Sequence, residues 1–133
     1  MNTTSSDEDM LSLVLMDPDP SSFGGLMTTT QPVPKPGTGE ILVQVFASSV
    51  SPLDVAIARG EVAPRLPTPT GTKSATTPTG YDFCGLVLDG PIDILGKTVF
   101  GSGPDWGIGT HCQFIRIPAA SVLEKPDFLQ VRE

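Results

Sequence analysis

The chain has 133 residues, a net charge of −7 and a pI near 4.4, so it is about one domain long and unsuited to nucleic acid or an anionic membrane as a partner. Apolar residues make up 38%, and 14 glycines and 14 prolines punctuate the chain. That frequency of breaks suits short strands and many turns better than a helical bundle.

Residues 1–9 are polar and acidic, so disorder is expected there, and such an opening is not a secretory signal. Leu11-Ser12-Leu13-Val14-Leu15-Met16 reads as a first strand and is far too short to cross a bilayer. Asp17-Pro18-Asp19-Pro20 with Gly24-Gly25 forms a loop, because these residues forbid regular structure. Leu26 to Gln31 reads as a second strand, and Pro32 to Pro36 as extended, polyproline-like chain.

Ile41 to Val50 carries the strongest strand signal. Val43, Val45 and Ala47 share one face, and Leu42, Gln44 and Phe46 share the other. Only Gln44 is strongly polar. A central strand is therefore expected, with Val43, Val45 and Phe46 well buried. Ser51-Pro52-Leu53-Asp54 then opens a short helix over Pro52–Arg59, with Ser at the N-cap, Pro at the first position and Asp at the third. Leu53 and Ile57 stack one turn apart, and Gly60 stops the helix.

From Glu61 to Pro78 the prolines and the run of Thr and Ser predict a long loop, either bordering a cleft or an ordinary insertion. Tyr81 to Leu88 is the next strand, where Gly85 signals a bulge or a close backbone approach. Lys97 to Phe100, Cys112 to Ile117 and Ser121 to Glu124 complete the strands. The glycines of 101–109 lack the spacing and the following helix of a phosphate loop. Trp106 at the tip of that segment would line an apolar site or lie exposed. Cys84 and Cys112 make no disulfide framework, so a reducing, cytoplasmic setting is expected.

Several stretches together resemble a known family. Pro34-Lys35-Pro36-Gly37-Thr38-Gly39-Glu40 runs into Ile41–Ala47, then Ser51-Pro52-Leu53-Asp54 and Gly60. Gly80-Tyr81-Asp82-Phe83-Cys84-Gly85-Leu86-Val87 and Gly109-Thr110-His111-Cys112-Gln113-Phe114, followed by Pro118-Ala119, keep the same order. Over residues 11–126 the chain resembles the N-terminal, GroES-like domain of medium-chain dehydrogenases/reductases. The resemblance implies a mainly β, partly open barrel of six to eight strands with one or two short helices. Residues 10–126 would form it, between a disordered 1–9 and a tail over 127–133.

In the zinc-dependent branch of that family, Cys stands where this chain has Ser51, and His-Glu where it has Tyr81-Asp82. Serine is a poor zinc ligand beside thiolate and imidazole, so no metal site is expected at these positions or at Cys84, His111 and Cys112. The resemblance points instead to zinc-independent quinone oxidoreductases and to trans-acting enoyl reductases of polyketide metabolism. There the motif is Asn-Pro-x-Asp, and Ser51 shortens the reach of that first side chain.

Candidate catalytic residues are Ser51, Asp54 and Tyr81, the last as a phenolic proton donor. Each also has a plain structural role. Ser51 and Asp54 cap the helix, Tyr81 fills a strand, and Asp82 and His111 hold loops. No strand–glycine-rich turn–helix unit is present, so this chain alone is expected to bind no cofactor, and NADPH enters only with a Rossmann-domain partner. An apolar or polyketide-like small molecule and a polyketide synthase are the other expected partners. Three roles stay open: half of a split or truncated reductase, a stand-alone barrel that binds or cyclises an intermediate, or a non-catalytic remnant.

Overall fold

The computed structural model describes residues 8–16, 20–21, 24–61, 77–103 and 109–132. Expectations for residues 1–7, for most of the Glu61–Pro78 loop and for Trp106 lie outside the described residues. Eight strands appear among these residues. They are β1 (Asp9–Leu15), β2 (Leu26–Pro32), β3 (Glu40–Ser48), β4 (Thr77–Pro78), β5 (Asp82–Asp89), β6 (Thr98–Ser102), β7 (Phe114–Pro118) and β8 (Val122–Glu124). Helix α1 (Pro52–Ala58) follows β3, and a 3-10 turn spans Ala119–Ser121. Pairing in β1 reaches Asp9, and the Glu8 carbonyl accepts the Val33 N–H at 2.9 Å, inside the stretch expected to be disordered. No helix of the described residues is long and apolar enough to cross a membrane.

The strands form two antiparallel sheets, in the order β2-β1-β4 and β7-β3-β5-β6-β8. The fold is mainly β, and its larger sheet curls into a half-barrel. As the pattern of Ile41 to Ala47 predicts, β3 lies inside the larger sheet, between β7 and β5. Its inward residues Ile41 and Val43 meet Phe83, Val87, Val99, Ile115, Ile117 and Val122 in the main core. Alternation explains that list, since every second residue of each strand points to the same side. Removing these side chains from water is the main force holding the sheet curled.

Phe46 departs from expectation: 49% of it is exposed. Val45 pairs with Gly85 and Ala47 with Cys84, which leaves Phe46 as the extra residue of a β-bulge. Phe46 shares the face of Leu42 and Gln44, opposite the core-packed Ile41, Val43 and Val45, and that face is only partly covered. Val43 is fully buried, whereas Val45, also expected to be well buried, is only partly buried where it packs against the core. Gly85 is what the bulge requires. A Cβ on it would lie 2.2 Å from the Gln44 carbonyl oxygen, so only glycine lets β3 and β5 approach this closely.

Residues 111–113 join the sheets. The Leu13 N–H donates to the His111 carbonyl at 2.8 Å, and the Gln113 N–H to the Leu11 carbonyl at 3.2 Å. Gln113 also accepts from Leu11 N–H through its side chain at 2.8 Å and from Val45 N–H through its carbonyl at 2.8 Å. One short segment thus serves β1 and β3 together, and it fixes where the hairpin sits relative to the larger sheet.

Candidate functional site

A cavity of about 360 Å³ opens where the β1–β2 hairpin, α1 and residues 78–81 meet. Its walls are Leu13, Leu15 and Leu26 from the hairpin, Val55, Ile57 and Ala58 from the helix, and Pro78 to Tyr81 from the third segment. Val50, Asp54 and His111 complete it.

Helix α1 stands at this place because its ends are closed locally. Ser51 accepts the Asp54 N–H on its hydroxyl at 3.4 Å, and Asp54 Oδ2 accepts the Ser51 N–H at 2.7 Å. The Ser51 hydroxyl also donates to Asp54 Oδ2 at 3.0 Å. This is the capping box read from the sequence. At the other end the Gly60 N–H donates to Ile57 and the Glu61 N–H to Ala56, at 3.0 and 2.9 Å. The pair forms a Schellman stop, with Gly60 at φ 77°. The cap therefore engages Ser51 and one oxygen of Asp54, and Asp54 also reaches the cavity wall.

Tyr81 lies one residue before β5 and is 8% exposed, packed with Leu15 and Ile57 against Leu26 and Leu53. Two of the three candidate residues, Asp54 and Tyr81, thus share the cavity, while Ser51 stands behind Asp54 at the helix cap.

His111 holds the three walls in place. Its Nε2 lies 2.9 Å from the Ser49 carbonyl, an acceptor, so that nitrogen carries a proton. Its Nδ1 lies 3.0 Å from the Thr79 hydroxyl, which in turn lies 2.8 Å from the Leu13 carbonyl. The His111 N–H also donates to the Thr79 carbonyl at 3.0 Å. One imidazole therefore ties the approach to α1, the approach to Tyr81 and strand β1. Gly80 makes the contact possible: at φ +92°, a Cβ there would meet Thr110 Oγ1 at 2.5 Å and His111 N at 2.7 Å.

Asp82 lies away from the cavity and supports the loop after β3. Its carbonyl accepts the Ser49 N–H at 3.4 Å and the Thr110 hydroxyl at 3.1 Å. The thiols face elsewhere as well. Burial pushes Cys112 up to about 11, partly opposed by its hydrogen bond to the Phe114 backbone. Burial also raises Cys84, partly opposed by the Lys125 ammonium. Among the described residues, no three His, Cys, Asp or Glu side chains gather as a metal centre would need.

Asp54 and Tyr81, candidates from the sequence, line this cavity, whereas its apolar wall was not anticipated. Leu13 and Leu15 alternate with the inward Met10, Ser12 and Val14, a signal visible in the strand itself. What the strand could not show was that helix α1 would lie across that outward face.

No model of a known protein family matches the chain. The chain is 30% identical over 128 residues to a zinc-type alcohol dehydrogenase-like protein of Schizosaccharomyces pombe, across 90% of this chain and 35% of that protein. It is 31% identical over 101 residues to the mouse mitochondrial NAD(P)H oxidoreductase RTN4IP1, across 68% of this chain and 26% of that one. Among solved structures, an alcohol dehydrogenase superfamily protein from Novosphingobium aromaticivorans matches with a TM-score of 0.73 and 31% identity. That match covers 92% of this chain and 36% of the other. Homologues from the medium-chain dehydrogenase/reductase superfamily thus cover most of the chain, which spans about a third or less of the length of these curated relatives.

Proposed function

We propose that this chain supplies the substrate-side barrel of an NAD(P)H-dependent oxidoreductase and works with a nucleotide-binding unit, in the same polypeptide or in another. The observation that carries the reading is the apolar cavity beside α1 with Tyr81 and Asp54 in its wall. The printed names of the relatives, dehydrogenase-like and NAD(P)H oxidoreductase, agree with it.

Hydride chemistry belongs to the nicotinamide, and the barrel's part is to hold the acceptor against it. In this reading Tyr81 donates the proton that follows hydride transfer, and Asp54 with Ser51 fixes the helix end at the junction with the nicotinamide. The described residues do not themselves fit a pyrophosphate. Their one α-helix begins with a capping carboxylate, Asp54, where an anion site would offer unoccupied N–H groups.

Zinc does not fit either. Ser51 bonds to Asp54 at the cap and Tyr81 packs into an apolar cluster, so neither belongs to a ligand set. The acceptor proposed is an enone, enoyl thioester or quinone of polyketide-like character. A second reading is a barrel that binds or cyclises such an intermediate without cofactor, which the closed apolar wall also permits.

The test is NADPH consumption with an enone acceptor. The purified chain alone should give no turnover, and addition of a nucleotide-binding domain from a relative should give turnover that Tyr81→Phe lowers. Consumption by the chain alone, or none in the mixture when the two are shown to associate, would count against the proposal.

A further inference from the structure

Several polar groups in the wall of the cavity beside α1 already have partners. The Thr79 hydroxyl lies between the Leu13 carbonyl and His111 Nδ1, and His111 Nε2 faces the Ser49 carbonyl. Asp54 spends Oδ2 on the backbone and hydroxyl of Ser51. A ligand therefore gains from Leu13, Leu15, Leu26, Val55 and Ile57 by burial and finds few polar groups to exchange bonds with.

The charge around the cavity is one-sided. Asp54 is the only carboxylate in the wall, and no lysine or arginine lines it among the described residues. Arg59, at the end of the helix, instead lies 3.6 Å from Glu61 and 3.5 Å from the Pro20 carbonyl. Among the described residues, an anion entering here would meet a carboxylate with no lysine or arginine to offset it, against a low-dielectric wall.

We infer that this cavity binds uncharged, lipophilic molecules and rejects carboxylates of the same shape, with Asp54 as the discriminating residue. This names the substrate class for the site proposed above and rests on that reading only in calling the ligand a substrate. Its volume lies near the lower end of small-molecule sites, which span roughly 300–1,000 Å³. A medium-length alkyl chain or a single ring system is the size that suits it.

The test compares octanol with octanoate by carbon-labelled methyl NMR of the whole chain, without NADPH. Octanol should shift the methyls of Leu13, Leu15 and Ile57, and octanoate should bind about tenfold more weakly. Asp54→Asn keeps an acceptor for the Ser51 N–H and should shrink that difference, leaving only the part that comes from taking the octanoate charge out of water. Val50→Lys places a cation on a wall residue that is 74% exposed, and should tighten octanoate about tenfold relative to octanol.

Equal affinity for the two ligands, a difference that Asp54→Asn leaves unchanged, or an absence of shifts at these methyls would overturn the inference. Because no cofactor is used, this outcome is independent of the turnover test. Binding without turnover would leave the cavity assignment standing and sink the oxidoreductase reading alone.

Discussion

Gly85 lies so close to Gln44 that a Cβ on the glycine would come within 2.2 Å of the Gln44 carbonyl oxygen and 2.6 Å of a Val43 methyl. The contact sits at the bulge beside Phe46, on the strand pair at the centre of the larger sheet. Overpacked cores ordinarily lose about 1–3 kcal/mol, and here the obstacle is backbone that cannot swing aside. Gly85→Ala should therefore cost about 3 kcal/mol or more by urea denaturation. A loss below about 1 kcal/mol would mean that the strands can separate at the bulge without penalty.

Ser12 offers a change in the opposite direction. Its hydroxyl is buried and finds no hydrogen-bond partner among the described residues, beside a cavity of about 180 Å³ lined by Met10, Val14 and Ile115. A buried unsatisfied hydroxyl costs about 1–3 kcal/mol, and its removal recovers part of that cost. Ser12→Ala should raise stability by about 1 kcal/mol. Destabilisation in the same denaturation experiment would show that the hydroxyl is satisfied in solution.

Ser51→Ala removes the hydroxyl from the capping box while leaving the Asp54 carboxylate able to accept the Ser51-position N–H. Loss of such a cap costs about 1 kcal/mol, and the helix that carries Asp54 and Ile57 would fray first. Amide hydrogen exchange over residues 52–58 should speed up while β3 and β5 keep their protection. Unchanged exchange in α1 would show that tertiary packing alone holds the helix.

Cys112 predicts an alkaline limit to stability. Burial raises the thiol from 9.0 to about 11, so the folded state favours the protonated form. That contribution is present below pH 9.0, where the thiol is protonated both folded and unfolded, and is lost as pH rises towards 11. The loss amounts to something on the order of 2 kcal/mol. Cys112→Ala should flatten this part of the stability curve relative to the parent. Parallel curves for the two proteins would contradict the assignment.

Much of the fold was legible because it is written in local pattern. Alternation placed β3 at the centre of its sheet, Ser51 and Asp54 announced the cap, and Gly85 marked the close approach. Phe46 was misplaced because alternation within β3 sets which face it shares, not how far that face is covered. Long-range partners hid the site in the same way. His111 bonds to Ser49 and Thr79, 62 and 32 residues away, and no local spacing signals that meeting. The leucines of the hairpin became a cavity wall only when α1 crossed them.

The most direct test of the oxidoreductase account follows the hydride itself. NADPH carrying deuterium at the transferred position is mixed with a lipophilic enone, this chain and a nucleotide-binding domain, and the product is read by mass spectrometry. The account predicts deuterium in the product only when both proteins are present, with label transfer sharply reduced by Tyr81→Phe. Unlabelled product, or full labelling with the chain omitted, would contradict it.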